Sequence, residues 1–160
     1  MAEGLKRVLV TGGSRGLGLA LVAALLESGY AAATCSRQPS PELEALADQA
    51  GADRLFWSSC AIGDAESEAA FFSAALDWAG AAGLFGLINN AAIAQEGVLA
   101  TFPNVETERI IEVNLVGAMR MSRLALRHML GRGGPGRIVN ISSVIGARGY
   151  TGLAAYSASK

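Results

Sequence analysis

Three polar side chains late in the sequence have types and spacing suited to moving a proton onto a carbonyl oxygen. Tyr156 and Lys160 are four residues apart, so on a helix they share one face. A tyrosine hydroxyl is a weak acid near neutral pH, but a neighbouring ammonium stabilises the phenolate and makes the group a usable acid or base. Ser143 adds a hydroxyl that could hold a carbonyl oxygen. Tyr-x-x-x-Lys pairs also arise by chance on many helices, so their meaning depends on the surrounding fold.

A glycine-rich turn near the start of the chain has the pattern of a phosphate-binding loop. Residues 11–18 follow a short apolar run at 8–10 and lead into an apolar segment, 19–26, that predicts a helix. Glycines allow a sharp turn and close approach to a pyrophosphate, and a helix N-terminus offers free N–H groups. A tight strand-to-helix turn without a ligand is the alternative. The expected cofactor contacts here are Gly12, Ser14, Arg15, Gly16, Leu17 and Gly18.

The end of the second predicted strand indicates which dinucleotide would bind. An acidic residue there would bind the ribose 2′-hydroxyl of NAD(H). This chain instead has Arg37, and Arg15 lies inside the glycine turn. Guanidinium groups suit a 2′-phosphate, so we predict NADP(H) as the cofactor. The alternative is that both arginines are solvated surface residues.

The elements that must position these groups alternate regularly along the chain. Apolar runs predict strands at 8–10, 30–36, 54–58, 84–88 and 137–142, separated by helical segments that include 41–50 and 105–130. This order predicts an α/β fold in three layers, a doubly wound, Rossmann-like parallel sheet formed by a single domain over residues 1–160. Polar clusters, among them Asn89 and Asn90, follow the strands where such a sheet binds ligands.

Composition excludes several other classes of function. The 160 residues carry 13 basic and 14 acidic side chains, a balance that argues against nucleic-acid or membrane-surface partners. No apolar run is long enough to span a membrane, and the first seven residues lack a signal-peptide pattern. Two isolated cysteines, Cys35 and Cys60, predict buried thiols in a reducing, cytoplasmic compartment. No metal site is expected, and His128 is interpreted as a surface or packing residue.

Five motifs, taken together and in order, resemble those of the short-chain dehydrogenase/reductase family, in particular its compact ketoreductases such as 3-oxoacyl-carrier-protein reductases. They are the Thr-Gly-x-x-x-Gly-x-Gly spacing over 11–18, Asn89-Asn90-Ala91, the segment around Asn114, Ser143 at the end of a strand, and Tyr156 with Lys160. They span the whole sequence, which makes coincidence a poor explanation.

The resemblance implies hydride transfer between a nicotinamide and a carbonyl or secondary alcohol, with 3-oxoacyl thioesters as a candidate substrate. Tyr156 would protonate the carbonyl oxygen, Lys160 would assist it and hold the nicotinamide ribose, Ser143 would orient the substrate, and Asn114 would support a water-linked proton relay. Asn90 and Ala91 would contact the cofactor. The resemblance also implies a homotetramer or homodimer, with residues 105–130 as one candidate interface.

Two positions depart from the family pattern. Ala92 stands where glycine is usual, which would alter packing. Ala61, within Cys60-Ala61-Ile62, stands where the family has an acid that contacts adenine. We therefore expect weaker adenine anchoring, or a substitute contact from backbone groups of Cys60 or Ile62.

Two other functions stay open at this stage. One is a dinucleotide-binding regulatory module without turnover. The other is an inactive fragment, because the chain stops one turn into a predicted helix, at Lys160, and we expect further strands to follow it in a larger domain.

Overall fold

Strands and helices alternate along the chain, as the sequence predicts. The structure is a computed structural model and describes residues 4–160. Of the first seven residues, which lack a signal-peptide pattern, residues 1–3 lie outside the described part. The strands are β1 (Arg7–Thr11), β2 (Ala31–Ser36), β3 (Leu55–Ser59), β4 (Gly86–Asn89) and β5 (Arg137–Asn140). The helices are α1 (Gly16–Glu27), α2 (Pro41–Ala50), α3 (Ala65–Ala79), α4 (Asn104–Ile111), α5 (Ala118–Arg132), α6 (Val144–Arg148) and α7 (Ala154–Ser159).

All five strands run parallel in one sheet, in the order β3-β2-β1-β4-β5. The chain therefore reverses its direction of winding between β1 and β4, the place where such sheets open a crevice for ligands. The carboxyl ends of all five strands lie at the same edge. The predicted doubly wound fold is confirmed, and the polar clusters that follow the strands are gathered along that edge.

The core lies on both faces of the sheet because successive strand residues point to opposite sides. Leu9, Ala33 and Leu87 face a cluster built with Phe71 of α3 and Met121 of α5. Their neighbours in sequence face a second cluster formed with α1 and α2, which includes Val10, Ala32, Val22 and Leu43. Two helices thus pack on each face, and the buried aromatic residues lie on the face under α3.

The second and third helices begin where their caps predict. Ser40 accepts a hydrogen bond from the Leu43 N–H at 3.2 Å and precedes Pro41, and Asp64 accepts from the Ser67 N–H at 2.7 Å. Both side chains satisfy backbone donors that a first helical turn leaves free. None of the helices in residues 4–160 is long and apolar enough to cross a membrane.

Several element boundaries differ from the sequence prediction. The helix expected over 105–130 is two α-helices joined by a π-helical segment, Glu112–Gly117. The fourth strand begins at Gly86 rather than 84, because the Leu84 N–H donates to His128 instead of to a neighbouring strand. The last strand ends at Asn140, and the short helix α6, which the sequence prediction missed, follows it with Ser143 as its cap.

His128 is a packing residue, in agreement with the sequence interpretation. Its Nε2 accepts the Leu84 N–H at 3.0 Å, and its ring meets Phe72 edge-on. Burial, followed by the charge of Arg132, lowers the pKa of His128. The neutral ring is thus the form that the fold requires.

The fold should lose stability on mild acidification through His128. Because its folded-state pKa lies below the unfolded value of about 6.5, the unfolded chain takes up the proton first as the pH falls. Thermal unfolding at pH 7.5 and 5.5 should show a larger fall in Tm for the parent than for His128→Gln, whose amide oxygen can still accept the Leu84 N–H. Equal falls in the two proteins would contradict this assignment.

Candidate active site

The glycine-rich turn joins β1 to α1 and carries an open helix N-terminus. Gly12 and Gly16 have positive φ values of 76° and 56°, a backbone conformation that favours glycine. Among the described residues, no side chain caps the first turn of α1, whose N-cap position is Arg15. The first N–H groups of α1 therefore point toward open space, which is the arrangement that binds a phosphate.

Two other glycines in the turn are required by close packing. A Cβ on Gly18 would lie 2.0 Å from the Gly12 carbonyl oxygen and 2.6 Å from Asn90 Nδ2. A Cβ on Gly13 would lie 2.0 Å from Thr34 Oγ1. All three distances are far below van der Waals contact, so the turn can pack against its neighbours only without side chains at these positions.

Thr11 and Asn90 fasten the glycine-rich turn to the end of β4. Thr11 Oγ1 accepts from the backbone N–H groups of Asn90 and Ala91, each at 3.0 Å. Asn90 Nδ2 donates to the carbonyl oxygens of Thr11 at 2.9 Å and Gly12 at 3.3 Å. These bonds fix the two sides of the crevice relative to each other.

Ser40 performs a second task that its capping pattern does not indicate. Besides capping α2, its hydroxyl donates to the Ser14 carbonyl at 2.6 Å. Nearby, the Ser36 hydroxyl donates to the Gln38 carbonyl and accepts from Trp57 Nε1. The loop that carries Arg37 is thereby fixed beside the glycine-rich turn.

A cavity of about 930 Å³ lies over these elements. All nine residues predicted to contact the cofactor outside the Tyr156–Lys160 pair line it, namely Gly12, Ser14, Arg15, Gly16, Leu17, Gly18, Arg37, Asn90 and Ala91. Arg109 and Val113 also line it, and neither is predicted from the sequence. Their spacing of one helical turn just before Asn114 is the signal that could have revealed them. Of the described residues around the cavity, three are arginines and none is acidic.

An ion pair with a buried carboxylate holds the loop after β3, whose residues Ala61 and Ile62 line this cavity. Glu68 is only 1% exposed and accepts from Arg120 Nε at 2.6 Å and from the Gly63 N–H at 2.8 Å. Arg120 also donates to Glu112 at 2.7 Å, and the bonds to Glu68 and Glu112 raise its pKa. Because every charge in the group is paired, the loop after β3 is held firmly against α3 and α5.

Cys35 and Cys60, at the ends of β2 and β3, are free, buried thiols, as predicted. They belong to one core cluster, and both reach the wall of the cavity. A hydrogen bond between the two thiols raises the pKa of Cys35 and lowers that of Cys60. Within residues 4–160, no group of three or more His, Cys, Asp or Glu side chains could hold a metal ion.

Asn114 connects the two halves of the crevice. It lies in the π-helical segment and is 7% exposed. Its Oδ1 accepts the Ile93 N–H at 2.8 Å, and its Nδ2 donates to the Ile93 carbonyl at 2.8 Å and to Ser159 Oγ at 2.9 Å. The side chain thus ties the loop after β4 to α7, the helix that carries Tyr156.

The three residues suited to proton transfer lie at the start of α6 and on or just after α7, the two helices that follow β5. Ser143 Oγ accepts from the Ile145 N–H at 3.2 Å as the cap of α6, which leaves its O–H free to donate. Tyr156 is half-buried on α7, and Lys160 follows one turn later. Lys160 Nζ donates to the Ile141 carbonyl at the end of β5, and burial lowers the pKa of Lys160.

A second cavity of about 570 Å³ adjoins this corner. Asn114, Ser142 and Lys160 line it together with a face of α5 that carries both apolar side chains and two arginines. Ser143 and Tyr156 are not among the described residues around either cavity. The structure therefore gathers the nine predicted cofactor contacts at one cavity, with Asn114 and Lys160 at the next.

The parallel sheet, its winding reversal and the crevice beside a glycine-rich turn define a Rossmann-like α/β protein. The sequence narrows this further, because residues 6–160 match the short chain dehydrogenase family. The chain belongs to that family, whose members bind nicotinamide dinucleotides.

Several curated relatives carry ketoreductase names. The chain is 35% identical over 156 residues to the ketoacyl reductase HetN of a Nostoc species, covering 97% of this chain and 53% of that protein. It is 32% identical over 157 residues to the 3-oxoacyl-[acyl-carrier-protein] reductase FabG of Staphylococcus aureus, with 97% and 63% covered. An acetoacetyl-CoA reductase of Paracoccus denitrificans is 34% identical over 160 residues, with 97% and 62% covered.

These matches confirm the resemblance to ketoreductases of the family. The chain spans 53% to 63% of the length of these relatives.

Proposed function

We propose that this chain forms the cofactor site and the proton-transfer site of an NADP(H)-dependent carbonyl reductase. The observation that carries the proposal is the first cavity, where an open helix N-terminus and three arginines face one another with no acidic residue among the described lining. A dinucleotide with a 2′-phosphate has negative charges on its pyrophosphate and on that phosphate, and the helix N-terminus and the arginines supply positive charge to match them.

The residues around the cavity fit the cofactor. The first turn of α1 and the glycines of the turn would receive the pyrophosphate, because no side chain caps the first N–H groups of α1. Arg37 and Arg15 would hold the 2′-phosphate. Asn90 and Ala91, fastened to Thr11, would border the nicotinamide half.

The proposed chemistry divides between the cofactor and the protein. The nicotinamide, when bound, supplies the hydride that adds to the carbonyl carbon. Ser143 donates its free O–H to the carbonyl oxygen, and Tyr156 gives that oxygen a proton. Lys160, fixed by Ile141, supplies positive charge beside the phenol, and Asn114 keeps α7 in register with the loop after β4.

The names of the relatives favour 3-oxoacyl thioesters as substrates and reduction as the direction. Two free thiols are consistent with a reducing, cytoplasmic compartment. We further propose a homodimer or homotetramer with α5 in its interface, since Met119, Leu126 and Leu130 are 60%, 48% and 78% exposed.

Cofactor preference tests the first half of the proposal. The protein should use NADPH with a kcat/KM about 100-fold above that for NADH, because hydrogen bonds to charged groups contribute about 1.5–3 kcal/mol each. Arg37→Asp should reverse the order by opposing a 2′-phosphate and accepting a ribose 2′-hydroxyl. Steady-state kinetics with both cofactors would measure the change.

The control is Arg137→Asp, the same charge change at an exposed residue. Arg137 is the first residue of β5, at the amino end of that strand, and does not line the cavity. This variant should leave the ratio unchanged. A preference for NADH in the parent protein would overturn the assignment. Tight binding of NADPH without turnover on any ketone or 3-oxoacyl thioester would instead favour the dinucleotide-binding module.

A further inference from the structure

One wall of the cofactor cavity is formed by α4 and the π-helical segment after it. Arg109 and Val113 both line the cavity, one helical turn apart, and so share a face. Val113 packs on the loop after β3, because a Cβ on Gly63 would lie 2.9 Å from Val113 Cγ2. This face therefore looks onto the end of β3, where Ala61 and Ile62 form the opposite wall.

This part of the cavity belongs to the adenosine half of a dinucleotide. A dinucleotide crosses such a sheet at the reversal between β1 and β4, so its adenosine lies over the side that carries β2 and β3. The walls at the end of β3 include the methyl of Ala61, the apolar side chain of Ile62, Val113 and the guanidinium of Arg109. Of these four side chains, Arg109 is the one that can form hydrogen bonds.

Arg109 is free to turn toward a ligand. Its side chain is 54% exposed, and its recorded ion pair is with Glu106, one turn earlier, at 3.6 Å. An exposed pair of this kind contributes little and is readily exchanged for another partner. A purine ring between Ile62 and Val113 would be a better partner for Arg109. Guanidinium groups stack on aromatic faces and also donate paired hydrogen bonds to acceptors on a ring edge.

We propose that Arg109 reads the purine of the bound dinucleotide and that the site consequently accepts a 6-oxopurine in place of adenine. This inference rests on the proposed dinucleotide function. A guanidinium has donors but no acceptor. It pairs with both O6 and N7 of a 6-oxopurine, whereas adenine presents N7 beside an amino group that is itself a donor. None of these four side chains can accept a hydrogen bond from that amino group, and the Cys60 thiol beside them is only a weak acceptor.

The test compares NADPH with its hypoxanthine analogue, deamino-NADPH, by direct binding in a calorimeter. The parent should bind deamino-NADPH as tightly as NADPH, or up to about 10-fold more tightly. Arg109→Ala should weaken both dinucleotides by about 3- to 10-fold and remove any advantage of the 6-oxopurine. Arg109→Lys should recover part of the lost affinity without that advantage, because it keeps the charge and lacks the planar fork.

Three further measurements make the test specific. Glu106→Gln removes the carboxylate that competes for Arg109, so it should bind both dinucleotides at least as tightly as the parent. Ala61→Asp adds an acceptor for the adenine amino group and should shift preference toward NADPH by about 10-fold. Reduced nicotinamide mononucleotide, which lacks the purine, should bind the parent and Arg109→Ala equally.

The outcomes separate this inference from the function on which it rests. If the parent binds neither dinucleotide, the proposed function fails. If the parent binds NADPH but Arg109→Ala changes neither affinity, the role of Arg109 is wrong. It is also wrong if the parent rejects deamino-NADPH by more than about 10-fold, or if Arg109→Ala weakens the mononucleotide as much as the dinucleotides.

Discussion

Replacing Tyr156 with phenylalanine should lower the kcat for carbonyl reduction by about 10²- to 10⁴-fold, the range that a positioned proton donor contributes. The substitution removes one oxygen from a half-buried side chain on α7 and leaves the ring in place. Ser143 and Lys160 keep their contacts with the Ile145 N–H and the Ile141 carbonyl, so the site should retain its shape.

Two measurements distinguish loss of chemistry from loss of binding. Steady-state reduction of a ketone or 3-oxoacyl thioester gives kcat, and fluorescence titration gives the Kd for NADPH, which should change by less than about threefold. Tyr150→Phe is the matched control, because it removes the same hydroxyl from a tyrosine that is 63% exposed. A Tyr156→Phe protein with more than about a third of parental kcat would show that another group supplies the proton.

Gly18→Ala should abolish cofactor binding and destabilise the fold. The added methyl would lie 2.0 Å from the Gly12 carbonyl oxygen, a backbone atom that cannot move without distorting the turn. Overpacking of this kind costs about 1–3 kcal/mol, and the distortion would also displace Asn90. We expect the Kd for NADPH to rise by more than about 100-fold and Tm to fall by roughly 2–10 °C.

The control for this change is Gly131→Ala. Gly131 lies within α5, and a Cβ there would meet no atom within 4 Å. Alanine is the better helix former, so this variant should be as stable as the parent or up to about 1 kcal/mol more stable. Thermal unfolding and NADPH titration of both variants provide the comparison. Parental affinity in Gly18→Ala would mean that the phosphate does not bind at this turn.

Local patterns in the sequence were sufficient for much of the fold. The caps at Ser40 and Asp64 act within three residues, so their side chains locate two helix starts without any tertiary information. The glycine-rich turn and the polar residues after each strand likewise lie together because parallel strands must end at one edge.

Contacts between distant parts of the chain could not be predicted in this way. The fourth strand begins late because His128, 44 residues further along, accepts the Leu84 N–H. Arg109 and Val113 line the cofactor cavity, where Val113 lies close to Gly63. Their spacing places both on one helical face, but the direction of that face, like the partner of the Leu84 N–H, depends on how α4 and α5 lie against the sheet. The roles of Ser143 and Tyr156 stay predictions that the Tyr156→Phe experiment addresses.

The π-helical segment Glu112–Gly117 fixes the number of residues between α4 and α5. Each residue of an α-helix advances the side chains by about 100°, and a π turn holds one residue more than an α turn. Deleting one residue here would close the π turn to an α turn, so α5 would keep its face toward the core while Asn114 lost its position. Inserting one would rotate all of α5 and turn Met121 and Ala125 away from the core cluster beneath the sheet. Over evolutionary time this stretch can exchange side chains, but it can neither gain nor lose a residue while Asn114 and the face of α5 both keep their positions.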